Sequence, residues 1–152
     1  MHIVLVEPEI PQNTGNIART CALTGTRLHL IKPLGFSIED RYLKRAGLDY
    51  WDEVDVKLWD SFRQLSTALS GHRFFLATTH AKTSYHQFQY QPDDVFVFGR
   101  ETKGLPPDIL AAFPDNQIRI PMRDLGRSLN LSNSAAVVLY EALRQNGFPG
   151  LK

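Results

Sequence analysis

The stretch Val-Phe-Val-Phe-Gly-Arg-Glu-Thr-Lys-Gly-Leu-Pro-Pro at residues 95–107 runs from an unbroken apolar segment through a glycine-containing turn to two prolines. An apolar run without alternation is typical of a strand that is buried on both faces of a parallel sheet. Pro106 and Pro107 fit the first turn of a helix, because a backbone N–H is not needed there. The stretch therefore predicts a buried strand, a turn and a helix in succession.

The same alternation of strand and helix extends over the whole chain. Four further apolar runs lie at 3–6, 28–31, 74–77 and 118–120, and the alternating segment 54–58 predicts a half-exposed edge strand. Helical patterns fill the intervals at 14–24, 38–45, 59–69, 106–113 and 132–145. We therefore expect an α/β domain with a mainly parallel sheet and helices on both of its faces.

The composition favours one domain spanning residues 1–152, with no separate RNA-binding domain. Cys21 is the only cysteine, which excludes a disulfide framework and a multi-cysteine zinc site and favours a reducing compartment. Its place in a helical apolar pattern predicts a core residue. The five histidines lack metal-ligand spacing, so we expect no metal. The N-terminal apolar run is too short for a signal peptide or a membrane span, which predicts a cytoplasmic protein without membrane contact.

The net charge of +1 argues weakly against a nucleic-acid partner, because proteins that bind nucleic acids are often strongly basic. Two local basic clusters exist, one formed by Arg41, Lys44 and Arg45 and the other by Arg119, Arg123 and Arg127. Either could be an ordinary solvated face. Two copies in an oligomer would be needed to make a wide basic surface.

Candidate ligand-binding segments follow the predicted strands, because ligands of open α/β sheets bind beyond the carboxyl ends of strands. No G-x-G-x-x-G or P-loop pattern follows any of them. If the first helix starts near Thr14, Asn16 and Arg19 lie on one face of its first two turns and suit a phosphate or an oxyanion. The alternative is that Asn13 and Thr14 only cap the helix while Arg19 lies on the surface.

Two later segments are also candidates for ligand binding. Gly99, directly after a buried strand, would let a ligand approach the backbone closely, although 99–106 could also be an ordinary turn with an exposed Glu101–Lys103 pair. The connection 121–130 is rich in hydrogen-bonding side chains and leads into a helix that Ser132 or Asn133 could cap. A cap accounts for one such residue, which leaves the others available for a ligand.

Three segments together resemble the motifs of the SPOUT RNA methyltransferases. They are Pro-Gln-Asn-Thr-Gly-Asn-Ile-Ala-Arg-Thr at 11–20, Phe-Gly-Arg-Glu-Thr-Lys-Gly-Leu at 98–105, and Ile-Pro-Met at 120–122 with Ser-Leu-Asn-Leu-Ser-Asn at 128–133. The resemblance covers about residues 3–148 and is greatest to the minimal, YibK-like members. It implies a deep C-terminal trefoil knot and S-adenosylmethionine-dependent methylation of the ribose 2′-hydroxyl at the wobble nucleotide 34, a cytidine or modified uridine, of tRNA.

The resemblance also implies roles for particular residues. The cofactor contacts carried onto this chain are Ala77, Thr78, Gly99, Glu101, Gly104, Ile120, Met122, Ser128 and Leu129, and the implied catalytic residues are Arg19, Asn16, Ser128 and Asn130. Family members are homodimers in which the Arg19 equivalent reaches the partner's cofactor. The last helix carries more apolar surface than one core needs, and Tyr140 is predicted to lie at the interface. Arg100, where the family favours Pro, and the loop 123–126 depart from the family pattern.

Two other functions remain open at this point. The first is a non-catalytic RNA- or nucleotide-binding protein of the same fold, and the second is a 2′-O-methyltransferase that acts at another tRNA or rRNA site. The joint presence of Arg19, Glu101, Ser128 and Asn130 favours catalysis, since a protein that only binds RNA needs no organised cofactor rim.

Overall fold

The computed structural model describes residues 1–47 and 50–152, and within them seven strands form one sheet. The strands are β1 (His2–Val6), β2 (Arg27–Ile31), β3 (Val56–Trp59), β4 (Phe74–Ala77), β5 (Thr83–Ser84), β6 (Val95–Phe98) and β7 (Gln117–Arg119). Their order is β3-β2-β1-β6-β4-β7-β5, and every neighbouring pair is parallel. All the carboxyl ends therefore meet at one edge of the sheet.

Helices connect the strands. They are α1 (Pro11–Thr24), α2 (Arg41–Gly47), α3 (Phe62–Ala68), α4 (Pro107–Ala112) and α5 (Leu131–Gln145), with short 3-10 turns at Trp51–Glu53 and Tyr85–Gln87. In the described part of the chain, no helix has both the length and the apolar character that crossing a bilayer requires.

The sheet is buried on both faces, and each face has its own core. On one face Ile3 and Leu5 of β1 pack with residues of α1 and α5, and this cluster contains Cys21. On the other face Val4 and Val6 pack with residues of α3 and α4. Alternate residues of β1 face opposite cores, which is why its sequence is apolar without alternation. Cys21 is fully buried, and burial raises the pKa of its thiol to about 12.

The predicted α/β architecture with helices on both faces is confirmed, as is the edge position of the alternating segment, which contributes β3. Three predicted helix starts are wrong. Helix α1 begins at Pro11 rather than near Thr14, α2 begins at Arg41 rather than 38, and α3 begins at Phe62 because the Ser61 side chain caps it. The two-residue strand β5 was not predicted, because it is too short to have a pattern. The trefoil knot stays a prediction.

A buried pair of histidines links β1 and β2 on the face that holds α3. His2 Nδ1 lies 2.9 Å from His29 Nε2, and Trp59 Nε1 donates to His29 Nδ1 at 3.0 Å. The indole N–H is only a donor, so His29 Nδ1 must be unprotonated and His29 Nε2–H donates to His2. Burial is the main cause that lowers the pKa of both rings to about 4. The pair is therefore neutral in the folded protein.

This pair predicts a loss of stability in mild acid. Both folded-state pKa values lie below the ordinary value of 6.5, so the unfolded chain binds more protons between about pH 6.5 and 4. The free energy of unfolding should therefore fall as the pH drops through that window, by about 2 kcal/mol or more. Urea denaturation at closely spaced pH values between 7 and 4 measures it.

His29→Gln provides the matched variant, because a glutamine oxygen can accept from Trp59 but cannot titrate. This variant should lose part of the pH dependence between 6.5 and 4. His86→Gln, which replaces an exposed histidine, should keep all of it. If the His29→Gln protein retains the wild-type slope, the histidine pair is not its source.

Candidate functional site

A cavity of about 660 Å³ lies at the carboxyl edge of the sheet, between the loops that follow β4, β6 and β7. This volume is within the range of small-molecule sites. Its walls bring together the residues that the sequence singled out around these loops: Ala77, Thr78, Gly99, Glu101, Gly104, Ile120, Met122, Ser128, Leu129 and Asn130. Ala77 and Asn130, 53 positions apart in the chain, thus meet in one pocket, as expected for the carboxyl ends of parallel strands.

Glu101 anchors the start of α1 to the cavity. Its carboxylate accepts the backbone N–H of Glu9 at 2.8 Å and that of Ile10 at 3.0 Å. Helix α1 has no acidic residue in its first turn and no side-chain cap of its own. A carboxylate near a helix N-terminus is favourable, so Glu101 supplies from a distant loop what the local sequence lacks. Its oxygens face the start of α1, so the alternative interpretation, an exposed pair with Lys103, is wrong.

Asn13 connects Glu101 to the third loop. Its side-chain amide donates to Glu101 Oε1 at 3.3 Å, and its oxygen accepts from Asn130 Nδ2 at 3.0 Å. Asn13 is 5% exposed, so both partners are protein groups rather than water. The interpretation of Asn13 and Thr14 as caps is wrong, since both lie inside the first turn of α1. We call the chain Glu101–Asn13–Asn130 the Asn13 bridge.

Asn130 is also the N-cap of α5. Its Oδ1 accepts the backbone N–H groups of Ser132 at 2.9 Å and Asn133 at 3.3 Å, while its amide reaches Asn13. The predicted caps Ser132 and Asn133 instead lie in the first turn. One asparagine therefore both starts α5 and closes the cavity.

Two further contacts hold the first loop against the loop after β6. Thr102 donates from its backbone N–H and its hydroxyl to the Glu9 carboxylate, at 3.2 and 2.9 Å. Glu7 pairs with Arg100. Both carboxylates are thus occupied in joining the two loops, and Arg100 has a structural partner despite its departure from the family pattern.

Gly99 is required by the protein's own backbone. A Cβ at this position would overlap the backbone of Gly104 and Leu105. The turn is closed by hydrogen bonds between Arg100 and Gly104 in both directions, at 3.2 and 2.9 Å, and Gly104 has a φ of +66°. Close approach of the turn to itself therefore requires this glycine, which also lines the cavity, and the close approach of a ligand stays a prediction.

Arg19 and Asn16 lie outside the cavity of their own chain. Both are exposed on α1, and Asn16 makes no side-chain hydrogen bond to Arg19 in the described part of the protein. The guanidinium of Arg19 instead lies over the ring of Tyr50, with 4.9 Å from Cζ to the centroid. Tyr140 is 47% exposed on α5 and also lies away from the cavity.

Sequence reasoning missed Asn13, Thr102 and Tyr50 as members or neighbours of the site. Asn13 was interpreted as a local cap because its two partners are 88 and 117 residues away. The available signal was that Asn13, the third residue of α1, is a polar residue on the apolar face of the helix. Among the described residues, no group of three or more His, Cys, Asp or Glu side chains could hold a metal ion.

The model of the SpoU rRNA Methylase family matches residues 1–140 of this chain. The chain belongs to this family. The resemblance to the SPOUT RNA methyltransferases, first seen in three short segments, is thereby confirmed over nearly the whole sequence.

Curated relatives of similar length have sequences highly similar to this chain. One from Methylovorus glucosotrophus (strain SIP3-4), named tRNA (cytidine(34)-2'-O)-methyltransferase, is 55% identical over 97% of this chain and 97% of its own length. Another of the same name, from Burkholderia ambifaria, is 50% identical over 98% of this chain and 97% of its own.

Solved structures of other proteins share the fold of this chain. A structure described as giving insights into the 2-OH methylation of C/U34 on tRNA has a TM-score of 0.92 and 46% identity, and the match covers 96% of this chain and 95% of that one. The SpoU methyltransferase AviRb from Streptomyces viridochromogenes, solved with AdoMet, has a TM-score of 0.87 at 21% identity. That match covers 100% of this chain and 59% of AviRb.

Gly99→Ala tests the packing of the turn. The added methyl group must displace the Gly104–Leu105 backbone, and such overpacking typically costs about 1–3 kcal/mol. For a protein of this size we expect Tm to fall by roughly 3–10 °C. Differential scanning calorimetry measures the shift.

Gly126→Ala is the matched control. A Cβ at Gly126 has no atom within 4 Å and the residue is not in the left-handed region, so Tm should stay within about 1 °C of the wild type. Equal Tm values for the two variants would contradict the assigned role of Gly99.

Proposed function

We propose that this SpoU protein is an S-adenosylmethionine-dependent methyltransferase that modifies the ribose 2′-hydroxyl of nucleotide 34, a cytidine or modified uridine, in tRNA. The observation that carries the proposal is the cavity closed by the three motif loops, in a chain 50–55% identical to relatives named for this reaction. We further propose that residues 1–152 act as one domain, in the cytoplasm and without a metal.

The cavity fits the cofactor in size and in chemistry. Ile120, Met122 and Leu129 give it an apolar wall suited to a flat adenine ring, while the loops after β4 and β6 supply backbone groups. The nine cofactor contacts implied by the resemblance all lie on its walls. We propose that Glu101 contributes to cofactor binding indirectly, because its carboxylate already accepts hydrogen bonds from the backbone at the start of α1. S-adenosylmethionine, when bound, supplies a methyl group that its sulfonium sulfur already activates.

The chain's own residues must then align the ribose hydroxyl and remove its proton. Arg19 is a poor base, because a guanidinium does not give up its proton in proteins, but its planar fork of donors can hold an RNA phosphate. The same fork stabilises negative charge on the ribose oxygen as its O–H bond breaks and the proton passes to a phosphate oxygen. We assign Ser128 and Asn130 to the rim where the ribose enters, and Asn16 to the α1 surface beside Arg19.

We place Arg19 at the cavity of a partner subunit in a two-fold homodimer. The exposed position of Arg19, away from its own cavity, supports this arrangement. Leu23 on α1 and Val137 and Tyr140 on α5 are apolar or aromatic side chains that are 53%, 38% and 47% exposed. Exposed apolar surface of this kind marks interfaces, and we assign Tyr140 to this one. Dimerisation would also duplicate the basic clusters that a net charge of +1 leaves small.

The proposal predicts methyl transfer from labelled S-adenosylmethionine to the 2′-oxygen of nucleotide 34 in tRNA, and a strong loss in Arg19→Ala. Removal of one donor to a developing oxyanion typically costs about a hundredfold or more in rate. Single-turnover kinetics at saturating enzyme, with nuclease mapping of the product, measure both. S-adenosylmethionine affinity of Arg19→Ala should equal that of the wild type. Labelling at another nucleotide, or binding of tRNA without transfer, would overturn the assigned reaction.

Mixed dimers test whether Arg19 acts on the partner's cavity. Leu129→Trp should block a cavity, because Leu129 lines it and is 40% exposed. Each variant alone should be inactive, whereas a mixture should regain activity, since the Leu129→Trp subunit still provides Arg19 to the open cavity of its partner. Mixed dimers that form and stay inactive would show that Arg19 serves its own chain.

A further inference from the structure

Arg19 has an unusual partner for an exposed arginine. Its guanidinium carbon lies 4.9 Å from the centroid of the Tyr50 ring, a distance within the range of cation–π contacts. None of the described residues pairs a carboxylate with it. The contact with the face of the Tyr50 ring is therefore the interaction that restrains the Arg19 side chain in the described structure.

This type of partner leaves the hydrogen-bonding groups of Arg19 available. A guanidinium has five N–H donors around its edge and none on its face. A carboxylate partner would occupy two donors in a bidentate pair and would partly cancel the charge that attracts a phosphate. A ring below the plane restricts the side chain and leaves every donor free.

Tyr50 is well placed to act in this way because its neighbour is anchored. It directly precedes the 3-10 turn Trp51–Glu53, and Trp51 packs against the hydrophobic core that contains α1. The cation–π pair of Arg41 with Tyr42 differs, since there the guanidinium also donates to the tyrosine hydroxyl at 3.0 Å. Of these two pairs, only that of Arg19 has a guanidinium without a hydrogen bond to any residue that the structure describes.

We propose that Tyr50 is a positioning residue for Arg19, and that its ring holds the guanidinium plane ready to receive an RNA phosphate. The inference rests on the proposed function, because it assumes that Arg19 acts on RNA. Tyr50 itself touches neither the substrate nor the reacting atoms. By restricting the side chain, it reduces the number of conformations that Arg19 samples before it binds the phosphate.

The proposed contact uses the face of the Tyr50 ring. A variant that keeps the ring and a variant that removes it should therefore differ in the single-turnover rate constant. Tyr50→Phe should retain the wild-type single-turnover rate constant, whereas Tyr50→Leu should lose about two- to fivefold, the range expected from a cation–π contact at an exposed site. Tyr42→Leu is the matched control, because it removes the Arg41 contact on α2, and it should leave this rate constant unchanged.

A double-mutant cycle distinguishes positioning from a general structural effect. If Tyr50 acts through Arg19, Tyr50→Leu should cause no further loss in the Arg19→Ala background. The Tm and the S-adenosylmethionine affinity should stay at wild-type values. Independent, multiplied losses in the double variant, or equal losses in Tyr50→Phe and Tyr50→Leu, would overturn the inference.

Failure of the inference can be told apart from failure of the proposed function. If the wild type does not methylate nucleotide 34, the proposed function is wrong. If the wild type is active and Arg19→Ala is impaired, but Tyr50→Leu has the wild-type rate constant, then only the role of Tyr50 is wrong.

Discussion

The site depends on one buried amide. Asn13 donates to Glu101 and accepts from Asn130, and so joins the start of α1, the turn after β6 and the loop before α5. At 5% exposure Asn13 is largely shielded from bulk water, and a buried polar group without a partner is costly. All three segments must therefore take up their positions together, and the cavity exists only where they do.

The same contacts stabilise the fold and shape the cavity. Glu101 holds the two residues that precede α1 and Asn130 caps α5, and these two helices pack together over the larger core. The turn between Gly99 and Gly104 is folded so tightly on itself that its backbone forms a wall of the pocket. Arg19 lies apart from this framework, on the exposed face of α1. A cavity built from three joined loops and an exposed cation on a separate surface suit the proposed reaction shared between two subunits.

The structural features that depend on residues close together in the chain could be predicted from the sequence. Unbroken apolar runs located β1, β2, β4 and β6, and the rule that ligands bind at strand ends located the cavity. Helix starts were predicted poorly, because the start of α1 is stabilised by Glu101, 92 residues away from Glu9. The bridging role of Asn13 and the contact of Tyr50 with Arg19 are likewise tertiary features. The family motifs contain Asn13, but only the fold shows which groups its amide joins.

The most direct test is calorimetric binding of S-adenosylmethionine to Asn13→Asp. Aspartate keeps the shape and still accepts from Asn130, and an acid in the first turn of a helix is favourable, so α1 itself should not be weakened. It replaces the donor to Glu101 with a second carboxylate, however, and the repulsion should open the loops. We expect affinity to fall tenfold or more, with partial recovery when Glu101→Gln is added, because the glutamine amide can donate to the aspartate. Wild-type affinity in Asn13→Asp would contradict the account.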